Sequence, residues 1–152
     1  MKNLICVVAL LMTVGPAFAQ TGELPGPPQT FVLTGDGTCS ITSDNLVAHF
    51  SSPGVSHGWI AFGARWSARW ETTGCKLPIL VAATVNVLNS KKEVLLPVAW
   101  WVKVPAKRYA PSGAVKGRAR VDKQLDSIKL IKIQLVTKEQ FKAGKLPNPN
   151  QP

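Results

Sequence analysis

The chain has 152 residues, 45% of them hydrophobic, with 18 Lys and Arg against 8 Asp and Glu and a formal charge of +10. That length suits one domain with a sizeable core. No second long apolar run follows the one near the start, so no further membrane-spanning helix is expected, and carboxylates this few and scattered do not suggest the acid pair of a glycoside hydrolase.

Residues 1–19 read as a secretory signal peptide. Lys2 opens it, Leu4 to Val14 is the apolar stretch, and Ala17-Phe18-Ala19 is an A-x-A cleavage site. The short, simple form looks bacterial, which points to periplasm or medium. No cysteine stands at the cleavage point to carry a lipid, and Cys6 leaves with the segment. Cys39 and Cys75 remain. In an oxidising compartment such a pair is expected as a disulfide, with roughly 3–4 kcal/mol of stabilisation in the chain-entropy treatment.

Gln20 to Gln29 holds Pro25, Pro27 and Pro28 and is expected as an extended arm. A β domain over 30–145 is expected to follow. Thr30 to Thr34 and Thr38 to Thr42 are short strands about a Gly35-Asp36-Gly37 turn. Asp44-Asn45 turns the chain into Leu46 to Phe50, and Ser52-Pro53-Gly54 is read as the next turn. Gly58 to Trp70 fits a strand with Ile60, Phe62, Ala64, Trp66, Ala68 and Trp70 on one face, or a helix with an aromatic stripe. Its two glycines favour the strand, which leaves Arg65 and Arg69 facing water.

Cys75 to Val104 is the most apolar part of the mature chain and reads as a hairpin. A tight turn at Ser90-Lys91 places Val87 opposite Val94, Val85 opposite Leu96 and Leu77 opposite Val104, so both apolar sets share a face. Pro78 and Pro97 must then lie at an edge, a bulge or a strand end. Beyond a loop over Pro105 to Gly113, Val115 to Asp122 and Ser127 to Thr137 read as a second hairpin. A one-residue bulge near Leu130-Ile131 reconciles the two halves of the last strand. Glu139 to Lys145 is expected to form one helical turn, and 146–152 a disordered tail. Seven to eight strands without a long helix indicate an all-β, single-domain antiparallel sandwich, immunoglobulin-like in the loose sense; a small barrel is the alternative.

Charge is segregated. Apart from Lys2, every Lys and Arg lies from Arg65 onward. In the second hairpin Arg120 is expected opposite Lys129, Arg118 opposite Lys132 and Lys116 opposite Gln134. That face, extended by Lys107 and Arg108, is the candidate surface for an anionic partner: a glycan, a lipid surface, an acidic protein or, less in keeping with export, nucleic acid. The competing explanation is a solvated face that resists edge-to-edge pairing. Trp59 and Trp101 fall opposite the apolar faces and are candidate aromatic contacts.

His49 and His57 flank Pro53-Gly54, and a turn there would bring them together as a metal pair. The remaining ligands for a closed site are lacking, because both cysteines are expected to be bonded and Met1 and Met12 lie in the signal. No G-x-S-x-G, H-E-x-x-H or phosphate-binding glycine loop occurs. An exported, non-catalytic binding or accessory protein without a cofactor is therefore the leading expectation. A subunit or inhibitor acting by strand addition or an apolar patch is the second, and a small metalloprotein or enzyme at His49 and His57 the third. Gly58-Trp59-Ile60-Ala61-Phe62-Gly63 is similar to a short strand motif of DOMON-type extracellular sandwiches, which bind haem or sugar. The likeness is confined to that hexapeptide. The haem-ligating methionine often found there has no counterpart here, and the chain is assigned to no family on it.

Overall fold

Successive side chains of a strand point to opposite faces, so the period-two runs of this chain can build two sheets with their apolar sides together. The structure, a computed structural model, describes residues 26–120 and 125–144, without the side chains of 52–55. The signal segment, the arm as far as Pro25, the end of the expected strand at Val121-Asp122 and the tail lie outside the described residues. The chain forms β1 (Gln29–Val32), β2 (Ser40–Ser56), β3 (Trp59–Thr73), β4 (Ile79–Asn89), β5 (Val94–Val104), β6 (Arg108–Tyr109), β7 (Ser112–Arg120), β8 (Leu125–Leu135) and α1 (Lys138–Ala143).

Sheet A has the order β1-β2-β3, with β7 and β6 in succession along the far side of β3; sheet B has the order β5-β4-β8. All pairings are antiparallel. The two sheets face each other as a sandwich, with β1 and β2 beside β8 and β5 beside β7. Cys39 and Cys75 form the expected disulfide, which ties the start of β2 to the chain leaving β3.

Gly58 to Trp70 is strand, in the phase its alternation predicts. Phe62, Ala64, Trp66, Ala68 and Trp70 are buried, whereas Arg65 and Arg69 face water. Opposite them stand Val81, Ala83, Val85 and Val87 of β4 and Trp100, Val102 and Val104 of β5. Trp100 lies between the sheets with its ring 5.0 Å from Trp70 and 5.8 Å from Trp66. Burying indole N–H groups requires acceptors. Trp70 Nε1 donates to Ser43 Oγ at 3.1 Å and Trp100 Nε1 to the Ser112 carbonyl at 3.2 Å. Among the described residues Trp66 Nε1 has no hydrogen-bond acceptor.

Three local expectations change. First, β2 is one long strand. Asp44-Asn45 and Ser51 to Gly54 are irregularities in its pairing with β3, Asn45 having φ 50°, and the chain reverses instead at His57-Gly58. Both turn residues have positive φ (50° and 78°), as a two-residue hairpin loop of the primed type needs. Second, the central hairpin is shifted by two residues, pairing Val87 with Leu96, Val85 with Val98 and Ile79 with Val104. The cause is a longer loop: Lys92 N–H closes a turn on the Asn89 carbonyl, Lys92 itself sits at φ 61°, and a bulge follows at Val87/Leu88. A shift of two keeps every side chain on its face. Pro97 lies in the edge strand β5, and Pro78 precedes β4.

Third, β7 and β8 do not pair. β7 pairs with β3 and β8 with β4, in different sheets. The reason is shape. Gly117 lies against the Phe62 ring and Gly113 against the Trp66 ring, where a Cβ would come within 2.6 Å of ring atoms. Only a strand lacking these side chains packs under those aromatics. Leu130 and Ile133 of β8 instead pair beside Val85 and Ala83 in the aliphatic half of the core. The expected bulge in β8 is present: Thr84 pairs with Lys132 and Val85 with Leu130, leaving Ile131 as the extra, exposed residue. The expected helical turn is α1. A capping box joins Thr137 and Gln140, and Gly144 ends the helix at φ 60°.

Candidate functional site

The exchange of partners redistributes the basic residues. Cross-strand neighbours share a face, and the pairings of β2, β3 and β7 define the outer face of sheet A. Trp59 pairs with Arg120 and Ala61 with Arg118. Ser51, Gly63 and Lys116 form one row across three strands, and His49, Arg65 and Ala114 form the next. Arg65, Lys116, Arg118 and Arg120 are exposed, as are His49 and Ser51. Among the described residues no Asp or Glu pairs into this face between Trp59 and Ser67. An open depression runs over Gly63 and Ala61, bordered by Ser51, Lys116 and Arg118. It exists because the middle strand carries small residues there between larger ones.

Farther along, the same face is charge-compensated. Arg69 pairs across from Asp44, and Arg108 Nε lies 3.4 Å from Glu71 Oε1. Arg108 is thus an ion-pair partner. Lys107 is exposed and contributes its carbonyl, which accepts from Thr72 N–H at 2.8 Å. Lys129 and Lys132 are exposed on the outer side of sheet B, beside Asn86 and Thr84. The expected oppositions of Arg120 to Lys129, Arg118 to Lys132 and Lys116 to Gln134 do not form. Of the seven basic residues that sequence singles out, the fold gathers Lys116, Arg118 and Arg120, and adds Arg65 to them.

Trp59 is 50% exposed at the hairpin tip. Trp101 is half-buried, because the Phe141 ring of α1 meets it edge-on at 6.1 Å. His49 and His57 are not brought together. The reversal begins only at His57, so seven residues of extended chain separate the two, on the order of 20 Å. His57 Nδ1 lies 2.8 Å from Ser56 Oγ, and His49 pairs across from Arg65. Among the described residues no group of three or more His, Cys, Asp or Glu is placed to hold a metal ion. The disulfide withdraws both cysteines from such a role.

The shifted carboxyls lie away from the basic face. The Thr34 hydroxyl, with the Thr38 amide and hydroxyl, holds Asp36 down at about 2 in the β1–β2 turn. Lys92, donating at 2.7 Å, holds Asp126 below the usual carboxylate range.

Sequence reasoning missed His49, Ser51 and Gly63 as neighbours of Lys116. One signal was available. Phe62 and Trp66 stand four residues apart, and so do Gly113 and Gly117. Antiparallel pairing of large on small at matched spacing selects β3 as the partner of β7. No protein-family model, curated protein or solved structure matches this chain.

Proposed function

We propose that this is an exported, non-catalytic binding protein, periplasmic or secreted, that docks an anionic envelope component or an acidic protein on the outer face of β2, β3 and β7. The observation that carries the reading is Lys116 and Arg118 beside a floor of Gly63 and Ala61, with Arg65 next along β3 and, among the described residues, no acid pairing into the stretch from Trp59 to Ser67. An opposed acid would neutralise a merely structural charge pattern, as Glu71 does at Arg108. Here the positive potential is left for a partner. Trp59, beside Arg120, offers an aromatic surface at one end. Export is supported by the signal-like residues 1–19 and by the disulfide.

Binding to heparin or to phosphatidylglycerol vesicles is expected at low salt and falls steeply as salt rises. Absent or salt-independent binding contradicts the reading.

A second reading is favoured by a different feature. β1 pairs with β2 only from Ser40 to Ser43, so from Leu46 onward β2 has no second strand partner among the described residues. A cleft opens there toward β8, lined in part by Leu46, Ala48, Ile128 and Leu130. Such an edge accepts an added strand. On this reading a partner or a second copy stays bound at high salt.

A further inference from the structure

The depression over Gly63 is more than a gap between cations. Ser51, Gly63 and Lys116 lie in one cross-strand row, so Gly63 separates the other two by two inter-strand spacings, about 10 Å. A Cβ on Gly63 would stand 2.8 Å from Ser51 Oγ. The glycine therefore lets the Ser51 hydroxyl lean over the middle strand, into the space that Lys116 and Arg118 border from the other side. Arg65 follows Gly63 on the same face of β3. A neutral hydroxyl donor on one wall and two cations on the other surround a floor of Gly63 and Ala61.

We infer that this depression is a seat for a phosphate monoester carried on a larger molecule. The inference rests on the proposed anionic docking and names the group that is read. A monoester carries about −1.5 to −2 charges and three terminal oxygens, each a strong acceptor. It can take the Ser51 hydroxyl with one oxygen while the others meet Lys116 and Arg118. A carboxylate has two coplanar oxygens and a single charge, so it offers the three donors fewer acceptors and less charge. Filling the floor or deleting the hydroxyl therefore weakens phosphate binding while leaving long-range attraction unchanged.

The experiment uses the disulfide-bonded protein with three probes: inositol hexakisphosphate, phosphatidylcholine vesicles containing phosphatidic acid, and poly-L-glutamate. Ser51→Ala and Gly63→Ala are each compared with Lys116→Glu/Arg118→Glu. The expected result is a loss of about three- to tenfold for each single variant on a phosphate probe, the size of one hydrogen bond, with poly-L-glutamate changed less than twofold. The charge-reversal variant loses all probes. Loss on the vesicles alone assigns the phosphate to a lipid headgroup, and loss on the soluble probe assigns it to a free or polymer-borne ester. If both single variants bind every probe as the parent does while charge reversal weakens all of them, the seat is wrong and the broader reading survives. If no probe binds at low salt, both fail. Thermal melts monitor folding. Should Gly63→Ala misfold, Ser51→Ala decides, because its side chain is exposed.

Discussion

The two outer faces of this sandwich, one on a five-stranded sheet and one on a three-stranded sheet, are finished in different ways. Sheet B is covered at one end by its own chain. Val136 N–H donates to the Leu80 carbonyl as the chain leaves β8, and α1 brings Phe141 onto Trp101. Ala82, on the outward side of β4, is only 1% exposed as a result. Sheet A has no such cover among the described residues. Its central strand presents Ala61 and Gly63, and its flank presents Lys116 and Arg118. Where a face is apolar the chain spends a helix on it. Where it is cationic and its middle strand is small, the face stays open to something else.

That contrast can be broken from several directions. The largest effect is expected at Trp100, which serves both sheets. Trp100→Ala should cost about 3–5 kcal/mol in denaturant unfolding and lower binding only through unfolding. Next is Gly117→Val, which drives a branched side chain into the Phe62 ring. A loss of about 1–3 kcal/mol is expected, together with weaker anion binding, because β7 carries Lys116 and Arg118. Stability lost without any binding change would show that β7 does not position the face. Phe141→Ala should act on sheet B alone, lowering stability by about 1 kcal/mol, given that the contact is only half-buried. Trp101 fluorescence should shift to the red with no change in polyanion binding. The smallest effect is at the far end of sheet B, where Lys92 holds Asp126. Because folding lowers the Asp126 pKa, the pair stabilises above the unfolded value and its contribution disappears as pH falls through the folded one. Both partners are more than a third exposed, so screening limits Asp126→Asn to a few tenths of a kcal/mol at neutral pH. As pH falls through the folded-state value and Asp126 becomes protonated, the difference from the parent should vanish.

How far the sequence could be read follows from what each pattern encodes. Period two encodes faces. It therefore placed Trp66 and Trp70 inside, Arg65 and Arg69 outside, and the bulge at Leu130-Ile131 where the phase slips. It does not encode neighbours. The two strands after Gly113 alternate equally well whether they pair with each other or with separate sheets. The choice depends on glycines fitting under Phe62 and Trp66. Turn residues misled for a related reason. Asp44-Asn45 and Pro53-Gly54 have turn composition, yet a long strand uses such residues at irregularities that bend it. The register of the central hairpin depended on Lys92 adopting positive φ, which a lysine rarely does. The candidate face was half legible. Lys116, Arg118 and Arg120 were visible as a row of charge, but their neighbours came from strands fifty residues or more away in sequence.

The most direct measurement compares two double charge reversals by titration against heparin at low and high salt, each checked by thermal melting. Lys116→Glu/Arg118→Glu alters the open face of sheet A, and Lys129→Glu/Lys132→Glu alters the outer side of sheet B, with the same change in net charge. The account predicts that the first pair abolishes salt-dependent binding and that the second leaves most of it, both variants melting close to the parent. Equal losses from the two pairs would mean that net charge alone attracts the ligand, and the assignment of the site to β2, β3 and β7 would be contradicted.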